Sequence, residues 1–238
     1  MAQSVDRYQD QVRALAERYK LAHEAAIKLA RLLELLVSNP RAPTAIRDPA
    51  RAVEDHLADS LVALELDQVR TATEAADLGA GAGLPGLALA IALPGLHVAL
   101  IESSRRKCDF IERAADVCEV ANASVVCERA ETWSAGLGRM DLVTARALAP
   151  LPVVLEYAAP LLRVGGALVM WRGKRDSAAE SAGPPAAERL GLQELELRRV
   201  RPYEQARDRH LHVMLKERDT PPGFPRRPGA ALKHPLAS

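Results

Sequence analysis

The stretch DLGAGAGLPG, from Asp77 to Gly86, decides the fold of this chain. It follows a short apolar run and precedes a segment with helical periodicity, which together predict a strand, a turn and a helix. Four glycines and one proline lie in its last eight residues, more than a tight turn requires. Because backbone without a Cβ atom lets a ligand approach closely, the stretch predicts a ligand-binding turn at the carboxyl end of a strand.

After Thr73 short apolar runs alternate with helical ones, which indicates βαβ units and a parallel sheet. Only the last two strands are joined by a segment too short for a helical crossover, so we expect them to be antiparallel. The seven expected strands are Glu74 to Leu78, His97 to Glu102, Ser124 to Cys127, Asp141 to Ala145, Ala167 to Trp171, Leu195 to Val200 and His210 to Leu215. The expected helices between them are Pro85 to Leu93, Arg105 to Glu119, Pro150 to Leu162 and Ser177 to Leu190. We therefore predict a Rossmann-like α/β fold with a seven-stranded, mostly parallel sheet.

The segment before the sheet is predicted to be helical. Apolar residues recur at steps of three and four from Val12 to Leu36, as on one face of a long helix or a helix pair. A second helical segment is expected to start near Pro49 and to end near Val69. We expect an N-terminal helical cap in residues 1–70, a cofactor-binding domain in residues 71–219, and a tail without regular structure in residues 220–238.

Composition and charge limit the cell location and the partners. The chain has a net charge of +1, but ten Lys and Arg and four Asp and Glu residues fall between Arg198 and Ser238. This basic C-terminal part favours a polyanionic partner, with an inert solvated tail as the alternative. The chain lacks a run of 18 apolar residues and begins with an amphipathic, acid-containing segment, so we expect a cytoplasmic protein that does not bind a membrane. Three cysteines without CxxC spacing predict no metal site.

Two ligands fit a glycine-rich turn of this kind. Gly81, Gly83 and Gly86 satisfy the GxGxxG pattern of dinucleotide sites, and Glu102 ends the next strand. The carboxylate of Asp77 would be unfavourable beside a pyrophosphate, but it would attract the sulfonium and ammonium groups of S-adenosylmethionine. Glu102 would then accept hydrogen bonds from the two ribose hydroxyls. The charges favour S-adenosylmethionine over a nicotinamide dinucleotide.

An ordered set of short motifs resembles one family, the bacterial 16S ribosomal RNA guanine-N7 methyltransferases, or glucose-inhibited division protein B family. The motifs are AIRDP (Ala45 to Pro49), HLADS (His56 to Ser60), DLGAGAGLPG (Asp77 to Gly86), IESSRRKCDFI (Ile101 to Ile111), CERAE (Cys127 to Glu131), VTARALAPL (Val143 to Leu151), WRGK (Trp171 to Lys174), RHLHV (Arg209 to Val213) and PRRPG (Pro225 to Gly229). The resemblance implies a class I methyltransferase fold whose partner is 16S ribosomal RNA or a precursor of the small ribosomal subunit, and a monomer. The implied acceptor is N7 of guanine 527 in the decoding region.

The resemblance also implies which residues contact S-adenosylmethionine. They are Gly79, Leu84, Glu102, Ser103, Ser104, Ala130, Glu131 and Arg146. No catalytic residue is expected, because guanine N7 carries a lone pair and no proton, so that alignment replaces a general base. This chain departs from the family pattern with Glu102 in place of Asp, with Ala42-Pro-Thr44 in place of Asn-Leu-Thr, and with Arg172 in place of Lys.

Further roles follow for residues outside the cofactor site. Arg146 is the best candidate to contact guanine O6 or a flanking phosphate. We expect Arg226, Arg227 and Lys233 to belong to a phosphate-binding surface, and His56 and Asp59 to make hydrogen bonds between cap and core. Three alternatives stay open: a small-molecule methyltransferase, an NAD-binding oxidoreductase, and an RNA-binding module without activity.

Overall fold

A seven-stranded sheet forms the centre of the protein in a computed structural model that describes residues 2–173 and 182–236. The strands lie in the order β3-β2-β1-β4-β5-β7-β6. The first five are parallel, and β7 is antiparallel to both of its neighbours. Their bounds are β1 Glu74–Leu78, β2 His97–Ile101, β3 Ala123–Val126, β4 Met140–Arg146, β5 Leu162–Arg172, β6 Leu192–Arg199 and β7 His210–Lys216. The predicted Rossmann-like fold is confirmed.

Helices cover both faces of the sheet. They are α1 Ala2–Arg18, α2 His23–Ser38, α3 Pro49–Ala52, α4 Asp59–Leu61, α5 Asp67–Arg70, α6 Gly86–Ala92, α7 Arg105–Val117, α8 Leu151–Ala158, α9 Gly183–Arg189 and α10 Ala230–Lys233. A π-helical turn at Val53–Ala58 joins α3 to α4, and a 3₁₀ turn at Val62–Glu65 continues α4. Leu66 is extended and separates this helical stretch from α5. Within the described ranges, a bilayer-crossing helix is ruled out by length and hydropathy.

Two predictions for the C-terminal half differ from the structure, and one of them concerns residues that the structure describes only in part. The helix expected from Ser177 begins at Gly183 in the structure, while residues 174–181, with Lys174, lie outside the described part. The tail was expected to lack regular structure, and this is wrong, because it contains α10. The buried residues Ala231 and Leu236 fix this segment to the rest of the protein. A short amphipathic turn of this kind forms through tertiary packing, which local composition does not reveal.

The sheet separates two apolar cores, because successive side chains of a strand point to opposite faces. In β5, Val169 belongs to the first core and Leu168 to the second. The first core includes Leu29 and Leu33 of α2 together with Leu87 of α6, and thus joins the N-terminal helices to the sheet. The N-terminal helices therefore share one continuous core with the sheet.

Candidate functional site

Backbone conformation explains the glycines of the turn between β1 and α6. Gly79, Gly81 and Gly83 have φ values of +66°, +60° and +85°, a left-handed conformation that costs other residues free energy. Gly86 is required for space instead. A Cβ atom there would lie 2.3 Å from Leu100 Cδ2 and 2.8 Å from Asp77 Oδ2. The turn therefore packs closely against the sheet.

Asp77 holds this turn from inside the protein. Its side chain is 1% exposed, and its Oδ2 accepts a hydrogen bond from Gly86 N at 2.9 Å. Its Oδ1 accepts another from Thr144 Oγ1 at 2.8 Å. Burial raises the pKa of Asp77 to about 6, against the effect of these two hydrogen bonds. The expectation that this carboxylate faces a cationic ligand is wrong, because the strand end is covered by the turn itself.

A cavity of about 330 Å³ lies beside the turn, at the carboxyl ends of the parallel strands. We call it the turn cavity. Its lining residues are Leu78, Gly79, Ile101, Glu102, Ser103, Lys107, Glu128, Arg129, Ala130, Glu131, Ala147, Leu148, Tyr157 and Leu232. Five of the eight residues expected to contact the cofactor are among them. Ligands bind at this edge in open α/β sheets, so sequence and geometry agree on the location.

Glu102 is held in the turn cavity by two backbone hydrogen bonds. Its Oε1 accepts a hydrogen bond from Ser104 N at 2.8 Å, and its Oε2 accepts one from Gly81 N at 3.2 Å. The ammonium of Lys107 lies 3.5 Å from Oε2. Each carboxylate oxygen can accept about two hydrogen bonds, and Lys107 also donates to Oε2, so one acceptor position, on Oε1, is left for a hydroxyl group of a ligand. Ser104 thus serves the site through its backbone, by fixing Glu102.

Besides Ser104, two more of the expected contacts, Leu84 and Arg146, are not lining residues of the turn cavity. Leu84 is 6% exposed and packs into the first core beneath the turn. Arg146 turns away toward the N-terminal helices, where its guanidinium donates to Asp59 Oδ2 at 3.0 Å. Arg146 therefore belongs to a neighbouring site.

That site is a second cavity of about 430 Å³, which we call the cap cavity. Its lining residues are Ile46, Asp55, His56, Asp59, Arg146, Ala147, Trp171, Arg172, Gly173, Val200, Arg209 and His210. Ala147 lines the turn cavity as well. A third space of about 150 Å³ also touches Ala147 and shares Leu148 with the turn cavity and Trp171 with the cap cavity. The two cavities therefore adjoin along the end of β4.

Polar groups of the cap cavity retain unused hydrogen-bonding capacity. Among the described residues, Asp59 Oδ1, Arg209 Nε and His210 Nδ1 are buried without a hydrogen bond. The first two form an ion pair at 3.5 Å. Buried polar atoms normally have hydrogen-bond partners, so His210 Nδ1, which this ion pair leaves without one, favours a polar ligand in the cap cavity.

Comparison with known proteins identifies the family. A family model described as GidB, rRNA small subunit methyltransferase G, matches residues 4–211. The chain belongs to this family. A relative from Rubrobacter xylanophilus, named ribosomal RNA small subunit methyltransferase G, is 36% identical over 231 residues, covering 94% of this chain and 86% of the relative. A relative of the same name from Deinococcus radiodurans is 37% identical over 214 residues, covering 88% of this chain and 85% of the relative.

Solved structures agree on the fold. The fibrillarin pre-rRNA processing protein of Methanococcus jannaschii superimposes with a TM-score of 0.52 at 16% identity, covering 64% of this chain and 70% of that one. At this identity the likeness concerns the fold alone. Family membership makes the chain a methyltransferase, an enzyme class whose fold matches the sheet described above.

In this methyltransferase, the predicted hydrogen bonding between cap and core is confirmed for Asp59, through its contact with Arg146. His56 lies 2.8 Å from Thr44 Oγ1, a contact within the N-terminal part. Burial, with a contribution from the nearby Arg146, lowers the pKa of His56 to about 4. His56 is therefore neutral near pH 7. Trp171 donates from Nε1 to the carbonyl of Asp59 at 2.6 Å, so that its ring is fixed.

The expected phosphate-binding role of Arg226 needs correction. Arg226 donates from Nε and from a terminal nitrogen to the two carboxylate oxygens of Glu156, at 2.6 and 2.5 Å. Glu156 is 2% exposed, so this guanidinium compensates a buried charge. Arg227 and Lys233 are exposed. Of the three basic residues, Arg226 is committed to an intramolecular bond.

Sequence reasoning missed several residues of the turn cavity. The sequence did contain a signal for Lys107: it follows Glu102 by five residues and lies in the first turn of α7, close to the tip of β2. Leu232 had none, because it reaches the cavity only when the C-terminal segment folds back over the sheet. Tyr157 had none either, because it lies on α8, a helix whose residues are all buried.

Proposed function

We propose that this methyltransferase transfers a methyl group from S-adenosylmethionine to N7 of a guanine in 16S ribosomal RNA, guanine 527 by its family. The observation that supports this most is the pair of adjoining cavities that share Ala147. The donor occupies the turn cavity and the guanine occupies the cap cavity. We also propose that the protein acts as a monomer in the cytoplasm, where the small ribosomal subunit is assembled.

The charges around the turn cavity fit a cationic ligand. Glu102, Glu128 and Glu131 line it, against two cations, Lys107 and Arg129. Both cations lie within 4 Å of a lining carboxylate, Lys107 at 3.5 Å from Glu102 and Arg129 at 3.8 Å from Glu131. A pyrophosphate would meet three carboxylates, whereas a sulfonium and an ammonium group would be attracted. These carboxylates take over the selectivity that the sequence suggested for Asp77.

The cap cavity fits a base with hydrogen-bond acceptors. Arg146, Arg172 and Arg209 line it, and guanine presents O6 as an acceptor beside N7. When bound, S-adenosylmethionine supplies an electrophilic methyl group. The lone pair of N7 would form the new bond to the methyl carbon, and the electron pair of the broken carbon–sulfur bond would stay on sulfur.

General-base chemistry is unnecessary, because N7 carries no proton. The residues of the two cavities therefore act by holding N7, methyl carbon and sulfur in line. This lowers the activation barrier by several kcal/mol, because the translational freedom of the reactants is already lost on binding. The positive charge ends on the guanine ring.

The direct test is methyl transfer from labelled S-adenosylmethionine to 16S ribosomal RNA and to precursor particles, followed by mapping of the modified nucleotide. We expect label at N7 of one guanine. Methylation of a small molecule but not of RNA would support the small-molecule alternative instead.

Calorimetry with S-adenosylhomocysteine and with NAD tests the donor, and tight binding of NAD alone would contradict the proposal.

Arg146→Ala tests the acceptor side. We expect at least a tenfold loss of RNA methylation, from the loss of a charged hydrogen bond to the base, with the affinity for S-adenosylhomocysteine within about twofold of wild type. Arg113→Ala, on the exposed face of α7, is the matched control. Arg146→Lys keeps the charge and tests whether a loss reflects packing. Unchanged turnover in Arg146→Ala would remove this residue from the acceptor site.

A further inference from the structure

The C-terminal segment, residues 224–236, folds back onto the carboxyl edge of the sheet. Ala231 and Leu236 are 1% and 5% exposed and belong to the second core. Between them, Leu232 on α10 is 53% exposed and lines the turn cavity. Its neighbours are thus fixed by burial, while the Leu232 side chain remains free to contact a ligand.

Polar contacts fix the same segment at two further points. Arg226 forms its two hydrogen bonds with the buried Glu156 and also donates to the carbonyl of His234 at 2.9 Å. Gly229 donates from its backbone to Glu131 Oε1 at 2.9 Å. Glu131 is itself a lining residue of the turn cavity. The segment therefore touches the cavity twice, through Leu232 and through Glu131.

We propose that the C-terminal segment is a wall of the cofactor site, and that Leu232 packs against the adenine ring of S-adenosylmethionine. This rests on the proposed function. Gly229, three residues before Leu232, bonds to Glu131, so that Leu232 lies on the side of Ala130 and Glu131. Glu102 lies at the tip of the neighbouring strand β2 and takes the ribose. The next part of the ligand along this edge is its adenine.

An apolar side chain suits that position. Adenine has flat apolar faces, and a leucine that is half exposed without ligand gains contact area when a ring covers it. The charged amino-acid end of the ligand would gain nothing from leucine. Leu232 thus contributes affinity for the purine.

Ligand binding and docking of the segment are then coupled. If docking of the segment raises the affinity for the ligand, ligand binding must raise the docking equilibrium constant by the same factor, because coupling between two sites is reciprocal. Backbone amides of residues 224–236 should therefore exchange hydrogen more slowly when the cavity is occupied. A wall that did not touch the ligand would show no such change.

Calorimetric titration with S-adenosylhomocysteine tests the contact. We expect Leu232→Ala to bind about fivefold more weakly than wild type, from the apolar area that the ligand no longer covers. Leu195→Ala is the matched control, since Leu195 is 48% exposed on β6 and lies outside the turn cavity. Its affinity should equal that of wild type. Leu232→Met, which keeps most of the apolar area, should recover most of the loss.

Two outcomes separate this inference from the proposed function. If wild type does not bind S-adenosylhomocysteine, the proposed function fails. If wild type binds it, but Leu232→Ala binds equally well and hydrogen exchange in residues 224–236 is unchanged by the ligand, the wall is refuted and the proposed function stands.

Discussion

At the residue scale, Asp77 has a different role from the one that its place in the sequence suggested, because its side chain is buried. The sequence placed an acidic residue before the glycines, and charge alone suggested a ligand contact. In the structure both oxygens are used by Gly86 and Thr144, so the residue stabilises the turn. Glu102 occupies the tip of the next strand in the same way but lines the cavity, as its position predicted. The two residues differ because the turn after β1 folds over Asp77, and the sequence pattern does not predict the path of that turn.

The raised pKa of Asp77 predicts a pH dependence of stability. The folded protein binds a proton up to about pH 6, whereas the unfolded chain releases it near 3.8, so stability falls as pH rises between these values. Asp77→Asn cannot ionise, and its amide can still bond to Gly86 and Thr144. Relative to this variant, wild type should lose up to about 3 kcal/mol of unfolding free energy between pH 4 and 6. Urea denaturation at four pH values measures this, and parallel curves would contradict it.

His56 predicts the opposite slope. Its folded pKa of about 4 lies below the ordinary value of 6.5, so the unfolded chain takes up the proton first as pH falls. Wild type should therefore lose up to about 3 kcal/mol between pH 6.5 and 4 relative to His56→Gln, a neutral side chain that can still bond to Thr44. The same denaturation series checks it. A slope of the same sign as that for Asp77 would show that His56 is charged in the folded protein.

At the scale of elements, the strands and most helices followed from hydrophobic periodicity, because each buries one face or both. The C-terminal helix did not. It depends on the contact between Arg226 and Glu156, 70 positions apart, and on a backbone bond to Glu131. The same contact binds Arg226, whose side chain is 28% exposed, to Glu156 and so removes it from the expected phosphate-binding surface. Long-range pairs of this kind leave no local pattern in a single sequence.

The pair formed by Arg226 and Glu156 predicts how firmly this element is fixed. Arg226→Met leaves a carboxylate that is 2% exposed without its partner, and should lower the unfolding free energy by about 3 kcal/mol. Adding Glu156→Gln removes the unpaired charge and should restore much of the loss. Arg227→Met, at an exposed neighbour, should change stability by less than about 0.5 kcal/mol. Chemical denaturation of the four proteins measures these differences, and equal losses in both single variants would refute the role of the pair.

At the scale of the whole molecule, a boundary near residue 70 was expected between cap and cofactor domain. Secondary structure does change there, but Leu29 and Leu33 share the first core with Leu87 of α6 and Leu100 of β2. Sequence periodicity identified the apolar face of the N-terminal helices. It did not identify the surface that this face covers, because the partner of an amphipathic face is set by the tertiary fold.

This continuous core predicts a single cooperative unfolding transition. Calorimetry of the full chain should give a calorimetric enthalpy equal to the van't Hoff enthalpy. Residues 71–238 alone should expose the apolar surface that α2 covers and should fail to give a cooperative transition. Two resolved transitions in the full chain would show instead that cap and sheet are independent domains.

Ala147 lies directly after β4, where the two cavities meet. It has a φ of +51°, a conformation in which an L-residue is strained, and it lines both cavities. Its side chain is one methyl group, and a branched side chain would add strain and bulk together. In the reaction proposed above, the cavities for donor and acceptor meet at this residue, so the backbone at the end of a single strand sets how far apart the two ligands are held.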